Sequence, residues 1–196
     1  MNAQQKRLIV PMAILALGLV ALVGAAYFIL ASGGQQARGS AIGGPFTLTD
    51  QNGARVTDVT YRGAPSIVFF GYTHCPDVCP TTLFDMSEIL KRLPADKRVS
   101  ALFVTVDPER DTPAALKEYL SSFDPRISGL SGTREEIDAT LKAYRVYAKK
   151  QPQENGEYSM DHSAIVYLMD KQGRFVTALN LQSPPEAVAK EIQRYL

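Results

Sequence analysis

Both cysteines of the chain fall in one short stretch, Gly71-Tyr72-Thr73-His74-Cys75-Pro76-Asp77-Val78-Cys79-Pro80. A cysteine thiolate is both a soft metal ligand and a nucleophile. Spaced i, i+4 on the first turn of a helix, the two would share a face at roughly 6 Å between Cα atoms, a separation that suits either a shared metal or a disulfide. The unpaired N–H groups and partial positive charge of a helix start would favour thiolate over thiol. Two cysteines that merely pack are the alternative, and that reading leaves the adjoining prolines, aspartate and histidine unexplained. Asp77 either backs the site, contacts a partner, or places a carboxylate on the helix dipole. The chain has two histidines, His74 and His162. His74 adjoins Cys75 and is expected to point away from it, toward the surface or a partner.

The elements that must position these groups are legible around them. Ser66-Ile67-Val68-Phe69-Phe70 is a short apolar run rich in β-branched and aromatic residues, the pattern of a buried strand. After Pro80, the apolar positions Leu83, Phe84, Met86, Ile89, Leu90 and Leu93 recur at helical spacing. The cysteines therefore occupy a strand-to-helix turn. Upstream, Phe46–Asp50 and Arg55–Thr57 flank Gln51-Asn52-Gly53 and predict a β-hairpin.

Downstream, Val99–Val106 reads as a strand and Thr112-Pro113 as a cap and first position of a helix running through Leu116, Tyr119, Leu120 and Phe123. The run Ile127–Leu130 reads as a short strand. Thr133-Arg134-Glu135-Glu136 is a capping box opening another helix through Tyr144. Gln151–Met160 is polar and reads as a loop or hairpin insertion. Ala164–Met169 and Arg174–Leu179 flank Asp170-Lys171-Gln172-Gly173 as a second hairpin, and a last helix follows Ser183-Pro184-Pro185.

Charge and hydropathy exclude some functions and suggest a location. Twenty-one basic and 20 acidic residues leave a net charge of +1, so there is no basic field for nucleic acid. From Leu8 to Ala31 no residue is charged, and as a helix this run would extend about 36 Å, enough to cross a bilayer core of roughly 30 Å. It is longer than the apolar region of a cleaved signal peptide. Lys6 and Arg7 precede the run and only Arg38 follows it closely, which predicts a cytoplasmic N-terminus and a soluble domain beyond the membrane. The expected layout is a cytoplasmic segment 1–7, a span 8–31, a flexible tether 32–42 and a folded domain 43–196. A bacterial inner membrane with a periplasmic domain is the expected location, a mitochondrial inner membrane the alternative.

The strand, helix, strand, helix, hairpin, helix order is that of a thioredoxin-like α/β fold, here with an N-terminal β-hairpin extension and a loop insertion. Active sites of such sheets lie at the carboxyl ends of strands, where Cys75 falls. The cysteine motif also resembles the copper-site motif of the Sco/SenC family, membrane-anchored thioredoxin-like proteins that help deliver copper to cytochrome c oxidase. Two further segments are similar to that family, Val106-Asp107-Pro108-Glu109-Arg110-Asp111-Thr112-Pro113 and Asp161-His162-Ser163-Ala164. In thioredoxins the residue before the hairpin's first strand, commonly a cis-proline, faces the cysteines; the resemblance puts Asp161-His162-Ser163 there and His162 beside the thiolates.

Two thiolates and an imidazole suit Cu(I), with an added ligand for Cu(II). A structural zinc site would want a fourth ligand. The resemblance thus implies copper held by Cys75, Cys79 and His162, a redox-active Cys75–Cys79 disulfide, and roles behind the ligands or at a partner for Asp77, His74 and Asp161. Implied partners are the CuA domain of cytochrome c oxidase subunit II, another copper chaperone and the membrane. The rival function is a thiol–disulfide oxidoreductase that keeps the oxidase's copper-site cysteines reduced. Three residues separate the cysteines here, however, where thioredoxin-type enzymes have two. A thiol peroxidase fits less well, since no Thr/Arg peroxide-binding set surrounds Cys75. The Asp107–Pro113 segment follows a strand's carboxyl end, on the site's side of the sheet, and reads either as part of the site or as a salt-bridged loop.

Overall fold

The computed structural model describes residues 42–154 and 156–196, together with helical positions 18–20, 22 and 24. Apart from those positions and Ile42, the expected span and tether lie outside the described residues. Among the described residues no helix is long and apolar enough to cross a membrane. The chain divides into two compact units, Met1–Arg38 and Gly39–Leu196, and the second carries the fold described below.

The buried run at 66–71 forms the centre of that fold. Strand β3 (Ser66–Gly71) is buried at every position, as expected of a strand covered on both faces. It pairs in parallel with β4 (Ser100–Thr105), setting Phe69 beside Phe103 and Gly71 beside Thr105. On its other side it pairs antiparallel with β8 (Val166–Met169), which turns back through Asp170–Arg174 into β9 (Phe175–Leu179). The Asp170 carboxylate accepts the N–H groups of Gln172 and Arg174, and Gly173 takes the positive φ of +76° that closes the turn.

β5 (Ile127–Ser131) extends the sheet in parallel beyond β4. The predicted hairpin, β1 (Thr47–Asp50) and β2 (Arg55–Thr57), adds antiparallel to β5, so the order is β2-β1-β5-β4-β3-β8-β9. Its connection is longer than a two-residue Asn-Gly turn. The Asp50 carboxylate collects the N–H groups of Asn52 and Ala54, and Gly53 sits at φ +84°.

Among the described residues, four α-helices flank the sheet. α1 (Val78–Lys91) buries Leu83, Met86, Ile89 and Leu90 and packs against α4 (Pro185–Gln193). α2 (Pro113–Leu120) is capped by Thr112, whose hydroxyl accepts the Ala115 N–H; it ends before Phe123. α3 (Arg134–Tyr144) opens with the predicted capping box of Thr133 and Glu136. Phe69, Phe70 and Phe103 are fully buried, with Phe69 and Phe103 rings 5.9 Å apart and Phe70 and Tyr144 rings 5.2 Å apart. Each such side chain stabilises the fold by about 1.5–3 kcal/mol.

The polar segment before β8 is a hairpin of its own. β6 (Ala148–Pro152) and β7 (Tyr158–His162) form a separate two-stranded sheet in which Ala148 faces His162 and Lys149 faces Asp161. The strand–helix–strand core with its closing hairpin and last helix is the expected thioredoxin-like arrangement, with β1–β2 and β6–β7 as its additions.

Candidate metal centre

The strand end, the helix start and the insertion hairpin converge on three donors. Cys75, Cys79 and His162 place one ligand atom each within 4.8 Å of one another. The Cys79 Sγ lies 3.7 Å from His162 Nε2, and both cysteines are free thiols.

The way the cysteines meet differs from the expected helical turn. α1 begins at Val78, so Cys79 stands in its first turn while Cys75 precedes it. The reason is Pro76, whose ring disfavours helical backbone at the residue before it. Cys75 is instead held in a turn in which its N–H donates to the Tyr72 carbonyl at 3.3 Å. The helix start then reaches back, with the Cys79 N–H donating to Cys75 Sγ at 3.4 Å. Pro80 is tolerated in that first turn because no intrahelical bond is asked of its nitrogen.

The two sulfurs sit in unequal surroundings. Cys75 is half-buried and Cys79 is 0% exposed. Burial pushes the Cys79 thiol above its ordinary value, against the opposing pull of the Tyr72 backbone N–H. Desolvation at Cys79 thus opposes the thiolate that a helix start favours. A metal taken up there would displace the Cys79 proton to solvent, and His162 Nε2 could serve as the third donor.

His162 is prepared for that role. Its Nδ1 faces the Ser163 carbonyl at 3.2 Å, so Nδ1–H donates to that oxygen and Nε2 turns its lone pair toward Cys79. Burial lowers its pKa from 6.5, which favours the neutral, ligating imidazole. The Tyr72 ring stands edge-on to it, 5.8 Å between centroids and at 86°.

The Asp107–Pro113 segment holds both halves of the centre. The Asp111 carboxylate is 0% exposed; it accepts the Thr73 hydroxyl at 2.7 Å, the Thr73 N–H at 3.1 Å and the Thr105 hydroxyl at 2.6 Å. It thereby pins the cysteine loop to the end of β4. Burial raises the Asp111 pKa, and the threonine hydrogen bonds oppose that shift. Asp107 pairs with Arg110 at 2.5 Å and accepts the Tyr158 hydroxyl at 3.0 Å. The segment is therefore a salt-bridged loop and a support of the site at once.

The remaining sequence candidates stand outside the donor trio. His74 is exposed, with Nδ1 3.0 Å from the Thr73 hydroxyl. Asp77 is exposed at the N-cap of α1 and makes no side-chain capping bond. Asp161 is exposed on β7. Sequence reasoning missed Tyr72 and Tyr158, whose only signal was their position beside the cysteine loop and in the polar insertion.

A thioredoxin-like sheet that gathers two thiols and an imidazole at one strand end defines a class of protein with a soft-metal centre. Within that class, the chain belongs to the SCO1/SenC family, whose model matches residues 34–196. The mitochondrial protein SCO2 of Saccharomyces cerevisiae is 42% identical over 165 residues, which are 80% of this chain and 54% of that protein. The chain spans about half the length of the curated mitochondrial relatives it matches.

Among solved structures, Bradyrhizobium japonicum ScoI with copper bound is 59% identical, with a TM-score of 0.76, covering 79% of this chain and 99% of that one. BsSco, a member of the Sco family of cytochrome c oxidase assembly proteins with an identified disulfide switch, is 25% identical, with a TM-score of 0.63, covering 78% of this chain and 91% of its own.

Proposed function

We propose that this protein is a membrane-anchored metallochaperone that binds one copper ion through Cys75, Cys79 and His162 and delivers it to the CuA site of cytochrome c oxidase during assembly. The observation that carries the reading is the convergence of two sulfurs and one nitrogen within 4.8 Å. Such a set offers Cu(I) a three-coordinate site, and nitrogen ligation with an added oxygen or nitrogen donor serves Cu(II). Family membership and the copper-bound ScoI structure support the choice of metal.

The reading includes the layout inferred from the sequence: a cytoplasmic segment 1–7, a span 8–31, a tether 32–42 and a periplasmic domain 43–196 in a bacterial inner membrane. Partners are the CuA domain of subunit II and a copper donor protein. A second role, reduction of the oxidase's cysteines by thiol–disulfide exchange, is favoured by one observation. Cys75 is partly accessible while Cys79 lies buried behind it, an arrangement in which one thiol meets a partner and the other resolves the mixed disulfide.

Anaerobic titration of the reduced protein with Cu(I) and Cu(II), read by metal content and spectroscopy, tests the reading. One equivalent bound by the reduced protein and none by the Cys75–Cys79 disulfide form is expected. Unchanged uptake after oxidation would refute it.

A further inference from the structure

The hairpin that carries His162 has no strand pairing with the seven-stranded sheet, so apart from its run into β8 it is held by side-chain contacts. One arginine makes two of these contacts. Arg110 Cζ lies 3.7 Å from the Tyr158 ring centroid, and its Nη1 donates to the Tyr158 carbonyl at 3.1 Å. Its Nε is engaged with Asp107, which also receives the Tyr158 hydroxyl. Lys150, on the paired strand, brings its ammonium to 3.8 Å from the same ring and binds Glu109 at 2.7 Å. Arg110 also lies 5.7 Å from the Tyr72 ring, the one set edge-on to His162.

From this stack we infer that Arg110 and Tyr158 form a latch that fixes the His162 hairpin against the cysteine loop, making them positioning residues of the metal centre. The inference rests on the reading that His162 is a ligand. Tyr158 opens β7 and His162 ends it, so the strand is a rigid arm between latch and ligand. Asp111, next to Arg110, holds the cysteine loop through Thr73. One short segment thereby ties the nitrogen donor to the sulfur donors. The flat guanidinium and the ring are both needed, because a stacked cation–π contact of this kind uses the face of each.

The test uses the purified full chain in detergent with 15N-labelled histidine, in which only His74 and His162 give signals. In the metal-free wild type, His162 should show a fixed Nδ1–H tautomer. Tyr158→Leu should average its ring signals and weaken Cu(II) binding by about 10–100-fold, the usual cost of losing support behind a ligand. The circular dichroism spectrum and thermal unfolding of Tyr158→Leu should stay close to wild type, which reports an intact fold. Tyr158→Phe keeps the ring and should stay close to wild type. Arg110→Lys keeps the charge but not the flat face, and should shift His162 in the same direction as Tyr158→Leu.

Unchanged metal-free His162 signals in both Tyr158→Leu and Arg110→Lys would overturn the latch. The ligand assignment is read separately. If His162→Ala binds copper as wild type does while Tyr158→Leu still frees the ring, the latch stands and the ligand reading fails.

Discussion

Gly71 ends β3 so close to Cys79 that a Cβ there would stand 2.7 Å from the Cys79 Sγ, and equally close to the Phe103 ring. The absence of a side chain is therefore what lets the buried sulfur seat against the strand end. Gly71→Ala must push either the core ring or the sulfur aside. It should lower stability by about 1–3 kcal/mol, the usual cost of overpacking. It should also weaken copper retention against a competing chelator. Denaturant unfolding and chelator competition on the same sample check both outcomes, and wild-type values in both would show that the sulfur does not depend on the glycine.

Acidification should affect the metal site through His162. Its pKa is lowered by burial from 6.5, so the folded imidazole remains neutral where an unfolded one is already charged. A buried neutral histidine contributes stability that is present above the unfolded pKa and declines as pH falls below it. Copper competes with the same proton at Nε2. The Cys79 thiol also gives up its proton to the metal, so Cu(II) affinity should decline gradually with falling pH and steepen only below 6.5, and His162→Ala should remove that steepening. A steepening centred above 6.5 that disappears in His162→Ala would contradict the burial argument.

The proposed membrane topology rests on the uncharged run Leu8–Ala31 and the basic residues before it. A reporter active only outside the cytoplasm, fused after Leu196, should be active. Activity of a cytoplasm-only reporter at that position would reverse the orientation.

Most of the core was legible because its signals are local. The apolar run of β3, the Thr112 cap with Pro113 and the Thr133 capping box each declare an element within a few residues. The Cys75 turn was not legible as a helical i, i+4 pair, because Pro76 removes Cys75 from the helix while the loop still returns its sulfur to the Cys79 N–H. The polar segment at 151–160 reads as a loop or a hairpin, because it has no apolar alternation strong enough to choose; the hairpin is what forms, as an isolated pair beyond the main sheet. His162 was placed near the cysteines by resemblance to the fold and the family. Its supports are contacts distant in sequence: Asp111 holds Thr73 and Arg110 stacks on Tyr158. No spacing rule reports these.

The desolvation that raises the Cys79 thiol bears directly on the copper claim, since that sulfur binds metal only when its proton leaves. X-ray absorption of the Cu(I)-loaded protein counts the ligands directly. Copper held by Cys75, Cys79 and His162 should give two sulfur scatterers and one nitrogen, with one sulfur lost in Cys79→Ser, the nitrogen lost in His162→Ala, and no change in His74→Ala. Two sulfurs and one nitrogen persisting in His162→Ala would contradict that ligand set.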